Sequence, residues 1–328
     1  MDREEIIKHL TETPLRTIME RADEVRQKVC GHGVIVRAII DFSNNCIRNC
    51  LYCGLRANNE RITRYRMKPE EILIAARSIY DAGIRTIILQ SGDDYAFSRN
   101  DICGIITALK TAFPDTALTL SIGERPQDDY TAFKDAGADR YLLKHETANE
   151  KLYTTYHPDM SLKKRLKILE LLRNIGYQVG VGCIIGLPGQ SVDDLADDIE
   201  FMQRFQPDMA GIGPFIPQEE TPLCHAKRGS VETTLRMVAL TRIVCPKTHI
   251  PATTALANID DGQGQIDALK GGANVIMPDF TPPDFGKHYR IYAKKTRVTL
   301  EYACRTIALA GRIPVFERGD SLQPALPE

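Results

Sequence analysis

Tryptophan is absent from the 328-residue chain, as is any apolar run near the ~20 residues a membrane-crossing helix needs. The first absence excludes nothing; the second removes a bilayer span. Charge of one sign is also not in surplus: 42 Lys and Arg against 43 Asp and Glu leave a formal net charge of −1. Nucleic-acid binders normally carry a basic excess, so nucleic acid is disfavoured as the main partner. The stretch MDREEIIKHLTET opens on acidic residues without an apolar core segment, so no secretory leader is expected. Nine cysteines make an odd count in a long chain, which argues against a disulfide framework and for a reducing cytoplasm. What is present is ordinary for a globular protein: 43% hydrophobic and 26% charged residues, and enough length to bury a large core.

Short β-branched runs alternate with longer amphipathic segments. Strands are expected at 34–42, 86–90, 117–122, 140–144, 178–185, 209–213, 250–255 and 273–277. Helical patterns fall at 69–82, 100–112, 128–136, 161–175, 192–205, 232–243 and 265–271. Small-residue breaks such as Asp81-Ala82-Gly83 and Asp135-Ala136-Gly137 separate a helix from the next strand. The pattern predicts an α/β fold, a complete (β/α)8 TIM-type barrel in a single domain spanning 1–328. Within it, 1–33 reads as an N-terminal helical cap, 34–297 as the barrel, and 298–328 as a C-terminal extension with one more helix and a polar tail. A doubly wound open sheet is the alternative, disfavoured by the strand count.

Three of the nine cysteines, Cys46, Cys50 and Cys53, crowd into the C-x3-C-x2-C loop directly after the first expected strand. In a barrel this loop lies at the C-terminal mouth, where active sites gather. Three thiolates can hold three corners of an iron–sulfur cube and leave the fourth iron open for chemistry. A structural zinc site would need a fourth ligand, and the loop contains no His. His32 and His145 could reach it only through the fold. Cys30, Cys103, Cys183, Cys224, Cys245 and Cys304 are scattered and read as small buried side chains.

Other strand ends supply further candidates, each beside a plainer reading. Gln90-Ser91-Gly92-Asp93-Asp94 is a common turn sequence. In Lys144-His145-Glu146, a carboxylate can bind ribose hydroxyls and a cation can hold an anionic substrate, yet Glu146 would also suit a helix start and His145 a structural role. Arg165 offers a planar fork for a carboxylate, though Lys163 and Lys164 beside it suggest a solvated face. The glycines of Gly186-Leu187-Pro188-Gly189 permit close approach to adenine, or a helix capped by Ser191. Thr253 and Thr254 at a strand end can hydrogen-bond a substrate, and Tyr289 and Tyr292 can cover the site, although Thr is a normal strand former and aromatics normally pack.

The order of strand, cysteine loop with Tyr52 before the last Cys, then helix matches the radical S-adenosylmethionine (SAM) enzymes. More specifically, the chain resembles the HydE family of [FeFe]-hydrogenase maturases through IDFSNNCIRNCLYCGLR, RYRMKPEEI, TIILQSGDD, AGADRYLLKHETAN, IIGLPGQSVDDL, GIGPFIPQEETPL, MVALTRI, IPATTA and GGANVIMP, together covering about residues 36–293. The resemblance implies a full barrel, one [4Fe–4S] cluster on Cys46, Cys50 and Cys53, and SAM as cofactor. It implies SAM contacts from Tyr52, Gln90, Ser91, Glu146, Arg165, Met209 and Tyr289. It implies a substrate lumen near Thr119, Lys144, Thr253, Thr254, Met277 and Tyr292. Reductive cleavage of SAM would give a 5′-deoxyadenosyl radical, used on a sulfur-containing, cysteine-bound Fe(CO)2(CN) unit during assembly of the diiron subcluster. Expected partners are that small organometallic substrate, transient partner maturases and an electron donor such as ferredoxin or flavodoxin, in an anaerobic cytoplasm.

Two departures from the family pattern bear on substrate and cofactor. Position 144 is Lys where the family carries Arg, which keeps charge but loses the bidentate fork. Many members hold a second cluster on C-terminal cysteines that include a C-x2-C pair; here only Cys304 lies in that region, so no second cluster is expected. Both leave room for a HydE-like paralogue: a methylornithine synthase-like lysine mutase or a maturase of the [Fe]-hydrogenase cofactor. Biotin synthase fits worst, since it needs further cysteines deep in the barrel. The reading from a different class is a non-catalytic iron–sulfur redox protein with four protein ligands.

Overall fold

The computed structural model describes residues 1–259, 262–293 and 295–323. Its strands are β1 (Gly33–Val36), β2 (Ala38–Ser43), β3 (Thr86–Ser91), β4 (Ala117–Ser121), β5 (Arg140–Leu142), β6 (Gln178–Val181), β7 (Ile184–Ile185), β8 (Met209–Ala210), β9 (Gly213–Pro214), β10 (Val275–Ile276) and β11 (Ile313–Val315). Parallel pairing runs β2-β3-β4-β5-β6-β8. Single bridges carry the ring onward, from Met209 to His249 and from Pro251 to Val275. β10 then pairs with β1, which continues into β2 after a break at Arg37. The ring therefore closes with eight parallel positions, as the alternation predicted.

Strands covered on both faces read as continuous apolar runs, and Ile39, Ile40, Ile87, Ile88, Leu118 and Leu120 are all buried. Helices cover the ring by their apolar stripes. In Leu162–Asn174 the buried positions are Leu162, Arg165, Ile168, Leu169 and Leu172, the spacing of one helical face. Ser98, Ser161 and Ser191 cap their helices by accepting a backbone N–H three residues on. The expected N-terminal cap is two helices, Arg3–Thr11 and Leu15–Cys30.

The structure departs from the expected strands in four places. The first expected strand is two, broken at Arg37. The stretches 178–185 and 209–213 are each divided in two, because Gly182 and Gly211 pack backbone to backbone there. The seventh strand shrinks to the bridges at His249 and Pro251, after which Thr253 leads into a short helix, Thr254–Ala257. The polar tail is not loose where it is described. β11 adds to β1 in parallel, and the chain beyond it fills the floor of the barrel. Arg140, wholly buried, donates there to Arg318 O (2.7 Å), Gly319 O (2.9 Å) and Asp320 Oδ1 (3.0 Å). Arg37 Nη2 donates to Gly319 O at 2.9 Å. Residues 324–328 of the expected extension lie outside the described residues.

Candidate active site

The C-terminal ends of the strands surround a cavity of about 400 Å³ inside the barrel. The sixteen residues that the resemblance assigns to cluster, cofactor or substrate all line it: Cys46, Cys50, Tyr52, Cys53, Gln90, Ser91, Thr119, Lys144, Glu146, Arg165, Met209, Thr253, Thr254, Met277, Tyr289 and Tyr292; Gly186 and Gly189 do not, and Ser191 there caps a helix. They come from nearly every strand end, so only barrel closure brings them together.

The cysteine loop is tied down on several sides. Asn44 Nδ2 donates to Thr63 O (2.8 Å) and His288 O (2.9 Å). Leu51 N donates to Tyr156 O at 2.9 Å, and Gly54 N to Ile291 O at 3.0 Å. Gly54 is required as such, since a Cβ would collide with the Arg290 carbonyl. Gly92 plays the same part on the other side, where a Cβ would strike Cys46. Cys46 Sγ accepts the backbone N–H groups of Arg48 and Asp93, both at 3.4 Å.

The three thiols suit a cluster in their chemistry and their spacing. Burial and then the neighbouring Cys46 push the Cys53 thiol up to about 12. Burial, then Cys53 and Cys46, raise Cys50 as well. Three converging thiols are a soft donor set, and their joint deprotonation in a buried site is favoured by a cationic centre among them. A single tetrahedral ion would hold its sulfurs about 4 Å apart. Among the described residues, only His145, Cys183 and Asp198 bring three such ligand atoms within 4.8 Å of one another, and the loop cysteines do not. The wider spacing fits a cube better than a zinc ion.

Across the cavity, Glu146 sits at φ 67°, a left-handed conformation that a non-glycine residue adopts at a cost. Its neighbour His145 turns away from the lumen, with Nε2 3.2 Å from Asp198 Oδ1; Asp198 also accepts Ala148 N–H at 2.6 Å. This outer clamp leaves Lys144 and Glu146 facing inward. His145 is thus structural, as its plainer reading had it. Lys144 Nζ lies 3.0 Å from Glu146 Oε2, close enough to pair charges. It is out of line for a hydrogen bond, and this buried oxygen has no aligned donor. Burial works to raise the Glu146 carboxyl, but Lys144 and the other positive neighbours outweigh it and hold it below the ordinary carboxylate range. Arg165 is buried, not solvated; its Nε donates to Glu124 Oε1 (2.9 Å) and its Nη1 to Lys144 O (3.0 Å). Thr119 Oγ1 is a second buried polar atom without a partner. Orphaned polar atoms facing a cavity are what an absent polar ligand would satisfy.

Several lining or adjoining groups carry no sequence signal strong enough to single them out. His157 Nδ1 meets Tyr153 O at 2.8 Å, so Nε2 is left to accept the Tyr52 hydroxyl at 2.7 Å. Asp41, fully buried within β2, pairs with Lys295 at 2.6 Å and accepts from Gln90 at 2.9 Å. Burial pushes the Asp41 carboxyl up to about 6, the largest influence on it, against the pull of Lys295. In the sequence Asp41 is only one acid inside an apolar run, between Ile40 and Phe42, before the cysteine loop. Lys295, 254 residues away, had no local signal at all.

Residues 40–202 match the family model described as the radical SAM superfamily. The "[FeFe] hydrogenase maturase subunit HydE" of Thermotoga maritima is 48% identical over 303 residues, covering 90% of this chain and 86% of that protein. The 3-methylornithine synthase of Methanosarcina acetivorans is 29% identical over 269 residues, covering 81% of this chain and 75% of that one. Among solved structures, methylornithine synthase (PylB) superposes with a TM-score of 0.86 at 24% identity, covering 96% of this chain and 94% of its own. That last likeness speaks for the fold.

Proposed function

Because this chain belongs to the radical SAM superfamily and, within it, to the HydE family of maturases, we propose that it is a radical SAM maturase acting on a sulfur-containing, cysteine-bound Fe(CO)2(CN) unit. The observation that carries the family-level reading is the 48% identity to a HydE subunit across 90% of the chain, against 29% to a methylornithine synthase. When bound, a [4Fe–4S] cluster and SAM would supply one-electron cleavage of the sulfonium and so a 5′-deoxyadenosyl radical.

The chain's own groups divide the remaining work. Cys46, Cys50 and Cys53 hold the cluster and leave one iron without a protein ligand. The N–H groups on Cys46 Sγ stabilise its thiolate. Glu146 presents its unfilled oxygen to ribose hydroxyls, and Gln90, Ser91, Tyr52, Arg165, Met209 and Tyr289 line the rest of the SAM site. Lys144, Thr119, Thr253 and Thr254 hold the anionic substrate, with Met277 and Tyr292 as its walls. Enclosure within the barrel would keep stray hydrogen-atom donors and oxidants away from the reacting groups.

The test is anaerobic. With SAM and reductant present, the cysteine-bound iron carbonyl cyanide complex should become adenosylated on sulfur, and Lys144→Ala should raise its KM more than it lowers kcat. Turnover of free lysine in place of that complex would reassign the chain to a lysine mutase.

A further inference from the structure

Asp41 is an acid inside a strand whose other residues, Ala38, Ile39, Ile40, Phe42 and Ser43, are all buried with it. A lone carboxylate there would be costly, and two partners offset the cost. Oδ2 takes the Lys295 ammonium at 2.6 Å, and Oδ1 accepts Gln90 Nε2 at 2.9 Å. Lys295 Nζ also lies 3.7 Å from Asp279 Oδ2 and 4.7 Å from the centre of the Tyr289 ring. Lys295, Asp279, Gln90 and Tyr289 line the cavity, and Asp41, wholly buried, stands behind them. An ionised carboxylate has no hydrogen to give, so the Gln90 amide turns its NH2 group towards Asp41. The carbonyl is the end left over, and among the described residues Gln90 Oε1 accepts no hydrogen bond. Gln90 therefore offers the cavity an acceptor. A protonated Asp41 would donate instead, and the amide would turn over and offer a donor.

We propose that Asp41 and Lys295 are a positioning pair that fixes the polarity of Gln90, so that the cavity presents an acceptor to a donor group of SAM such as its ammonium. The proposal rests on the radical SAM reading above. Lys295 is the deciding member. It arrives on the chain that follows Tyr289 and Tyr292, so the closed mouth brings its charge to Asp41. Among the described residues it is the one cation within 4.0 Å of that carboxylate. The other titratable groups facing Asp41 cannot replace it. Asp279 opposes ionisation, and Tyr65, Tyr289 and Tyr292 stay protonated, burial holding each above the ordinary tyrosine range. Burial already pushes Asp41 up to about 6 against the pull of Lys295. Without that pull the carboxyl would keep its proton to higher pH, and Gln90 would turn over with it.

The experiment compares the reconstituted wild-type holoenzyme with Lys295→Met, Lys295→Arg and Asp41→Asn. Calorimetry gives the SAM Kd at pH 8, 7 and 5.5, and difference infrared spectroscopy without SAM follows the Asp41 carboxyl, assigned by its absence from Asp41→Asn. In the wild type the Kd should rise as pH falls through about 6, and Lys295→Arg should follow it. In Lys295→Met the rise should come at higher pH, leaving the Kd roughly tenfold above wild type at pH 7, with the protonated carboxyl visible at that pH. In Asp41→Asn, Lys295 holds the side-chain oxygen and the NH2 faces Gln90, so SAM should bind weakly at every pH without the step. A Lys295→Met protein that weakens at the wild-type pH would overturn the proposal. So would one weaker by a constant factor with Asp41 ionised throughout, since Lys295 would then only brace the mouth, and so would a step that survives in Asp41→Asn. If no protein binds SAM, the radical SAM reading fails, while the hold of Lys295 on Asp41 is still decided by the infrared shift.

Discussion

Glu146 is the residue at which backbone strain, charge pairing and an unfilled hydrogen-bond site coincide. Glu146→Gln keeps the shape and removes the charge that a ribose diol would feel. The SAM Kd should rise roughly tenfold, the worth of one charge-assisted hydrogen bond, while iron content stays at wild-type level; an unchanged Kd by calorimetry would remove Glu146 from the cofactor site. His157 makes a second prediction at this scale. Burial lowers its pKa from 6.5 to about 4, so the folded protein favours the neutral ring that accepts the Tyr52 hydroxyl. A depressed base contributes stability that is present above pH 6.5 and lost as pH falls through 4. Between pH 7 and pH 5 the wild type should therefore lose about 2 kcal/mol that His157→Phe does not. Urea unfolding at the two pH values measures it, and a gap between the proteins that does not narrow on acidification would contradict the assignment.

At the scale of elements, the mouth is closed by the segment from Lys287 to Ile291, which crosses the cysteine loop through Gly54 N and Asn44 Nδ2. Gly54→Val should push this segment away. Unfolding stability should drop by roughly 1–3 kcal/mol, and limited proteolysis should find a new cut near 287–291; a variant as resistant as wild type would show that the close approach is not needed. Local pattern made the elements of the first half legible. β2 through β6 and the helices between them, the unexpected short helix Glu150–Tyr156 excepted, follow apolar runs and small-residue breaks that are complete within a few residues of sequence. Strand seven was less legible, because it is only single bridges at His249 and Pro251, at a point where the ring is held by its neighbours. β11 was not legible: Ile313-Pro314-Val315 is short, and its pairing with β1 is set by closure of a floor nearly 280 residues away.

Over the whole molecule, the same division between local and distant information decides what the sequence revealed of the site. The cysteine loop and most of the strand-end motifs lie together in sequence at each strand end, and barrel closure carries them to one cavity, the Gly186–Gly189 turn excepted. The groups that brace them come from afar. His157 reaches Tyr52 across 105 residues, Lys295 reaches Asp41 across 254, and no spacing rule joins such pairs. The central claim is that three cysteines hold a cluster with one iron open to SAM inside this barrel. The most direct measurement is the electron paramagnetic resonance spectrum of the reduced, anaerobically reconstituted protein, recorded with and without SAM and beside Cys50→Ala. The account predicts a [4Fe–4S]⁺ signal that changes on adding SAM and is lost in Cys50→Ala. A cluster signal indifferent to SAM would contradict it and point to a fully ligated redox centre.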